Sequence, residues 1–278
     1  MTKTVFFGAV AAAAVLASTG AYAAEGDTLR TVKQRGELIC GVNPGLVGFA
    51  APDANGNWSG FDISLCRAIA AAVVGDPNKV RFVPTTGQTR FTALSSGEVD
   101  VLTRNSTWSF QRDTELALDF PAVNYYDGQG FLVRKDLGVT SAKELDGATV
   151  CIQTGTTTEL NLADYFRANN ITYQPVNIDS NAEGEQQYMA GACDAYTTDA
   201  SGLAATRAAF ADPENHIILP EIISKEPLAP AVRHGDNNWG DIVRWTLFAL
   251  VAGEEYGVTS ANIEELSKSS TNPEVQRL

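Results

Sequence analysis

The sequence predicts an α/β protein built from two similar lobes, and three observations carry that prediction. Short apolar runs of strand length alternate with helical patterns, which marks βαβ units and a mostly parallel sheet. The alternation occurs twice along the chain. Each half closes on the same spaced residues: Gly97, Asp100 and Thr103 in the first, Gly191, Asp194 and Thr197 in the second.

The first half opens with a strand over 37–42. A helix follows over 62–74, with Leu65, Ile69, Ala72 and Val73 on one face and Gly75 ending it. A second strand spans 80–84, a short helix 90–95 stops at Gly97, and a third strand covers 99–103. The second half repeats the order. A strand over 148–153 leads to Thr156, whose spacing to Glu159 is that of a capping box. The helix it opens is expected to bury Leu160, Ala163 and Phe166. A strand over 171–178, a helix over 182–189 and a strand over 194–198 complete the unit. Further on, 241–252 reads as an amphipathic helix packing Ile242, Trp245, Phe248 and Ala249 inward.

The first 23 residues stand apart. Lys3, an apolar run from Val5 to Leu16 and the Ala21-Tyr22-Ala23 cleavage pattern read as a secretory signal peptide, too short to anchor in a bilayer. Its removal takes away Lys3 and leaves 19 basic residues against 33 acidic ones. No basic stripe exists to neutralise phosphates, which excludes nucleic acid as a partner. Cys40, Cys66, Cys151 and Cys193 are even in number, and export places them in an oxidising compartment, so disulfides are expected. Three connectivities are open. No C-x-x-C spacing occurs, and His216 and His234 lie near no cysteine, which speaks against a metal. The chain that remains is large enough for two lobes.

Ligands of open α/β sheets bind beyond the carboxyl ends of the strands. Two segments lie there. The loop from Asn105 to Arg112 is rich in hydroxyls and amides, and Arg112 offers a planar fork that fits a carboxylate. In the register of the two halves, Asp199 matches Asn105. A cation and an anion facing across one cleft suit a zwitterion. Plainer roles exist for each residue: Arg112 as a surface side chain, Thr107 and Thr157 as turn caps, Asp199 as the N-cap of the helix after it. Trp58, Trp239 and Trp245 read as packing residues, whereas Trp108 is a candidate for the pocket wall. A competing function is an enzyme on the same scaffold, dehydratase-like, acting on an amino acid or a related acid. No G-x-S-x-G, H-E-x-x-H or Cys–His partnership supports it.

The run from Gly60 to Ala70, GFDISLCRAIA, resembles the signature of the bacterial extracellular solute-binding proteins of family 3. The runs LICGVN (38–43) and VCIQTGTT (150–157) are similar to those of its broad-specificity L-amino-acid receptors. The resemblance implies a two-lobed periplasmic-binding-protein fold of type II. Lobe one then covers 24–131 and returns over 221–278, lobe two covers 132–220, and crossing strands near 131–134 and 219–222 form the hinge. It implies a periplasmic receptor, acting as a monomer without cofactor, that closes on an L-amino acid and delivers it to the membrane permease of an ABC transporter.

Residue by residue, the resemblance places the ligand carboxylate on Arg112 and Thr107, with Asn105 beside them and the turn Gly155-Thr156-Thr157 opposite. The ammonium falls to Asp199. The family's ligand-stacking aromatic is replaced here by Leu46 and a common nearby acid by Asn43, which implies a broad, uncharged wall. An acid usual in the signature is Ser64, a helix-face change. The chain stops at Leu278, earlier than the resemblance implies, so the C-terminal support of lobe one is the part expected to be incomplete. Bridges within lobes leave a hinge free to open. Cys40 and Cys66 join strand to helix in lobe one, and strands one and three of lobe two are neighbours. The expected disulfides are therefore Cys40–Cys66 and Cys151–Cys193.

Overall fold

The strand Leu38–Val42, buried at every position, forms the centre of a three-stranded parallel sheet. In this computed structural model, which describes residues 27–277, Val80–Pro84 pairs with it on one side and Val101–Leu102 on the other. The signal peptide read at 1–23 lies outside the described residues. The helix Phe61–Val74 packs Ile63, Leu65, Cys66, Ile69, Ala70 and Val73 onto that sheet. It ends on Gly75, which takes the left-handed conformation at φ 80° that a Cβ would strain.

The second lobe holds a five-stranded sheet. Gln174–Ile178, Thr149–Gln153 and Ala195–Asp199 run parallel. Gln129–Arg134 and His216–Ile218 extend the sheet by antiparallel pairing. The βαβαβ unit is thus present in each lobe, and two further strands are added in lobe two, of which Gln129–Arg134 alone runs against the rest. Both disulfides form within a lobe: Cys40–Cys66 ties the central strand to the helix Phe61–Val74, and Cys151–Cys193 ties the strand Thr149–Gln153 to the chain entering its neighbour Ala195–Asp199.

The lobes are joined by a two-stranded antiparallel ribbon, Tyr125–Asp127 with Glu226–Leu228. The sequence placed the crossing further in, at 131–134 and 219–222. Phe131–Arg134 lies inside the second sheet, paired on both sides. The chain then returns to lobe one: Val232–Arg233 pairs with Leu118–Asp119, and Trp239 buries its ring and donates from Nε1 to the Asp100 carbonyl at 3.0 Å.

Two helical faces differ from expectation. In Thr157–Ala168 the buried residues are Thr158, Leu162 and Phe166, while Leu160 is 59% exposed. In Asn237–Glu255 they are Trp239, Gly240, Val243 and Leu247, with Trp245 66% exposed. In both, the apolar residues outnumber the buried face, and packing selects a stripe rotated from the one that periodicity suggests. Among the described residues no helix is long and apolar enough to cross a membrane.

Candidate functional site

The lobes meet at the ends of their central strands. After Val101–Leu102 the chain turns through Arg104, Asn105, Ser106 and Thr107. Asn105 adopts φ 24°, and its backbone N–H is held by the Asp62 carboxylate at 3.1 Å. That carboxylate sits at the start of the helix Phe61–Val74, and burial pushes its pKa up to about 7. So anchored, Asn105 donates its side-chain amide to Asp199 Oδ2 at 3.0 Å across the cleft.

Asp199 ends the strand Ala195–Asp199 and precedes the helix Ala200–Ala209, yet its side chain does not cap that helix. It is 6% exposed. Burial, aided by the neighbouring charge of Asp127, raises its pKa to about 7. The second lobe also brings the turn before Thr157–Ala168. Thr156 accepts from Glu159 N–H as its N-cap, and Thr157 faces Thr107, hydroxyl to hydroxyl, at 3.3 Å. Here the backbones approach closely. A Cβ on Gly87 would lie 2.7 Å from the Thr154 carbonyl oxygen. Gln88 donates to the Thr154 hydroxyl at 2.8 Å, and Asn43 donates to Asn181 at 3.0 Å. The lobes are closed on each other.

A narrow polar cavity of about 10 Å³, the room of about one water, remains between them. Arg90, Arg104, Asn105 and Thr107 line it from lobe one; Gln153, Thr156, Thr157, Thr158, Thr198 and Asp199 line it from lobe two. No apolar side chain is among them. Of the residues expected at the ligand, Asn105, Thr107, Thr156, Thr157 and Asp199 therefore meet at one cavity. Arg112 is buried beside it. Its Nη1 donates to the Thr107 carbonyl at 2.8 Å, its guanidinium lies 4.9 Å from the Phe91 ring centroid, and burial lowers its pKa to about 10.

Leu46 and Trp108 are not brought to the cavity wall. Leu46 packs with Phe49 and Leu228, where three apolar side chains exclude water. Trp108 donates to Asp113 at 2.7 Å and stacks on Phe120, which turns its ring away. Asn43 is no open wall either, because its amide bridges Asn105 and Asn181.

Sequence reasoning missed three residues. Arg90 and Arg104 line the cavity. Glu226, in the connecting ribbon, is buried and accepts hydrogen bonds from Thr107, Thr157, Asn161 and Ser224. Arg104 had a local signal, since it precedes Asn105 in the loop already singled out. Glu226 had none, because its partners lie 119 and 69 residues away along the chain. His216 and His234 are remote from the cavity: one pairs with Tyr188, the other approaches Asp119.

Known proteins match this arrangement. A model of the bacterial extracellular solute-binding proteins, family 3, matches residues 38–262. The glutamate/glutamine/aspartate/asparagine-binding protein BztA of Rhodobacter capsulatus is 69% identical over all of this chain and 81% of its own length. The general L-amino acid-binding periplasmic protein AapJ of Rhizobium johnstonii is 58% identical over 99% of this chain and 80% of its own. Among solved structures, an ABC transporter/periplasmic binding protein from Brucella ovis with glutathione bound aligns with a TM-score of 0.85. It is 57% identical and covers 90% of this chain and 78% of that one. With both lobes, their disulfides and the closed polar cleft in place, this chain belongs to the bacterial extracellular solute-binding proteins, family 3.

Proposed function

We propose that this protein is the periplasmic receptor of an ABC uptake system and that it captures a polar L-amino acid between its lobes. The observation that carries the reading is Asp199, a buried carboxylate facing a closed cavity whose other walls are donors. A ligand ammonium supplies the charge that Asp199 lacks. Arg112 and Thr107 on lobe one, with Asn105, Thr156 and Thr157, supply donors for the ligand carboxylate. The helix Thr157–Ala168 begins at this turn, and a helix N-terminus favours an anion.

The names of BztA and AapJ, which specify amino acids, support the ligand class. On this reading residues 1–23 are removed on export and the receptor works as a monomer. Lobe one is the body around Leu38–Val42 with its C-terminal return, lobe two the body around Thr149–Gln153. The ribbon Tyr125–Asp127/Glu226–Leu228 is the hinge. Ligand contacts from both lobes favour the closed form, which the permease then engages.

A thermal-shift screen of the twenty amino acids tests the reading. A ligand at 100 times its Kd stabilises the fold by about 2.7 kcal/mol, a readily measured shift. Polar L-amino acids are expected to shift the transition and their D-isomers to leave it unchanged. A screen in which no amino acid raises the transition contradicts the proposal.

A further inference from the structure

None of the residues over 60–70, the run that resembles the family's signature, is among those lining the cavity. One of them, Asp62, reaches the site from behind. It stands in the first turn of the helix Phe61–Val74 and is 1% exposed. Acids are favoured in a first helical turn, but ordinarily at the surface. Asp62 is instead turned to the loop after Val101–Leu102 and holds it twice. The Thr103 hydroxyl donates to its carbonyl at 3.2 Å, and the Asn105 N–H donates to its carboxylate at 3.1 Å. Burial disfavours the charge on that carboxylate; the Asn105 N–H and then the Arg104 guanidinium favour it.

Asn105 needs the anchor. Its φ of 24° lies in a sparsely populated region for a residue with a side chain, and such a conformation persists only where its surroundings hold it. From that conformation the side chain spans the cleft. Its amide donates to Asp199 Oδ2 at 3.0 Å, and its carbonyl oxygen accepts from Asn43 at 3.1 Å. The amide matters to Asp199. Burial and the charge of Asp127 favour the protonated carboxyl, and Glu226 adds to them; the Asn105 hydrogen bond leads what favours the carboxylate, ahead of Arg90. Arg104 and Arg112 also lie within electrostatic reach of it. A carboxylate that takes up an ammonium has to be charged, so whatever holds Asn105 in place acts on the ligand at one remove.

We propose that Asp62 is a positioning residue of the receptor: by fixing the strained turn at Asn105, it holds in place the amide that keeps the Asp199 carboxylate ready for a ligand ammonium. The proposal rests on the receptor reading above and adds to it a residue that touches no ligand. The plainer role, an acid that only starts its helix, predicts lost stability and no change in ligand preference. Positioning predicts a loss confined to ligands that carry the ammonium.

Calorimetric titration of the full receptor with L-glutamine and with glutaramate separates the two roles, since glutaramate lacks only the α-ammonium. The wild type is expected to prefer L-glutamine by at least about 30-fold, the scale of a desolvated charge contact. In Asp62→Ala that preference is expected to fall about tenfold, the scale of one hydrogen bond to a charged group. Asp62→Asn keeps an oxygen for the Asn105 N–H and is expected to stay within about threefold of the wild-type ratio. Asn105→Gly removes the amide and suits the backbone conformation, and it is expected to lose as much as Asp62→Ala. The double variant Asp62→Ala/Asn105→Gly is expected to lose no more than either single one. Because both ligands are measured on the same sample, the ratio is insensitive to any fraction that fails to fold. A full ratio in Asp62→Ala or in Asn105→Gly, or an Asp62→Asn as impaired as Asp62→Ala, overturns the positioning role and leaves the receptor reading standing. A wild type that binds both ligands equally, or neither, overturns the ammonium clamp of the receptor reading and this role with it.

Discussion

Asn105 and Asp199 meet across the cleft at 3.0 Å, amide to carboxylate, and are equivalent residues of the two lobes. Asn105 comes just after the last strand of its βαβαβ unit and Asp199 ends that of the other, at the strand ends where ligands of such sheets bind. The contact shields Asp199 from water, yet the Asn105 amide and the nearby Arg90 guanidinium together do not offset burial and the charges of Asp127 and Glu226, and its pKa rises to about 7. That residual need for a positive charge is the physical basis for taking up an ammonium group.

The pH dependence of binding follows from this. Asp199 titrates near 7 in the empty closed form, against 3.8 ordinarily. Binding an ammonium requires the charged carboxylate, so affinity is full above about pH 7 and is lost as pH falls through that value, by up to tenfold per unit. Stability of the empty protein runs the other way. Asp199 and Asp62, both raised to about 7 by burial, hold protons in the folded state that the unfolded chain has released. The ligand-free protein should therefore lose stability as pH rises from about 4 to 7. Titrations between pH 5 and 8 check the first part and urea denaturation the second. Affinity that is flat across the range contradicts the assignment of Asp199.

Gly87 lies where the lobes touch. Its Cβ would collide with the Thr154 carbonyl across the cleft at 2.7 Å, a contact made only when the lobes are shut. Gly87→Ala is expected to fold with the stability of the open form intact and to bind at least about tenfold more weakly, or 1.4 kcal/mol. Small-angle scattering should show the wild type compacting with ligand and the variant failing to compact. A variant that binds and compacts like wild type removes this contact from the closing step.

Glu226 ties the ribbon to both lobes. Its carboxylate accepts from Thr107 on one side and from Thr157 and Asn161 on the other. Glu226→Ala leaves these donors, and that of Ser224, unsatisfied at a buried site, and should destabilise the protein by at least about 1–3 kcal/mol. Urea denaturation measures it. A variant as stable as wild type shows that water replaces the carboxylate freely.

Much of this was legible in the sequence, and the failures have physical causes. The strands around Leu38–Val42 and Thr149–Gln153 are short, apolar and bounded by turns, so their pattern has one reading. The disulfides followed from the strand–helix contact in lobe one and from strand adjacency in lobe two. Helix faces were less secure: in Asn237–Glu255, Trp245 and Phe248 stay exposed because Trp239, Val243 and Leu247 fill the stripe instead. The ribbon between the lobes was not legible because Phe131–Arg134 reads as a strand whether it crosses between lobes or lies within one. Arg90 sits in a helix and looks like a solvated charge; only the packing of lobe two over it turns it into a cavity wall. Glu226 gains its meaning from contacts far along the chain, which no local pattern records.

The central claim is that the cleft holds a zwitterion by opposite charges from opposite lobes, and calorimetry on Arg112→Lys and Asp199→Asn tests it most directly. Both substitutions preserve approximate size, and circular dichroism is the check that each variant folds. Each strands a ligand charge in a desolvated cleft or fails to match its geometry, at a cost of about 2–5 kcal/mol, a loss of roughly 30- to several-thousand-fold. Asp199→Asn should in addition weaken amino acids far more than the matching amine-free acids. Affinity within a few-fold of wild type in either folded variant contradicts the claim for that residue.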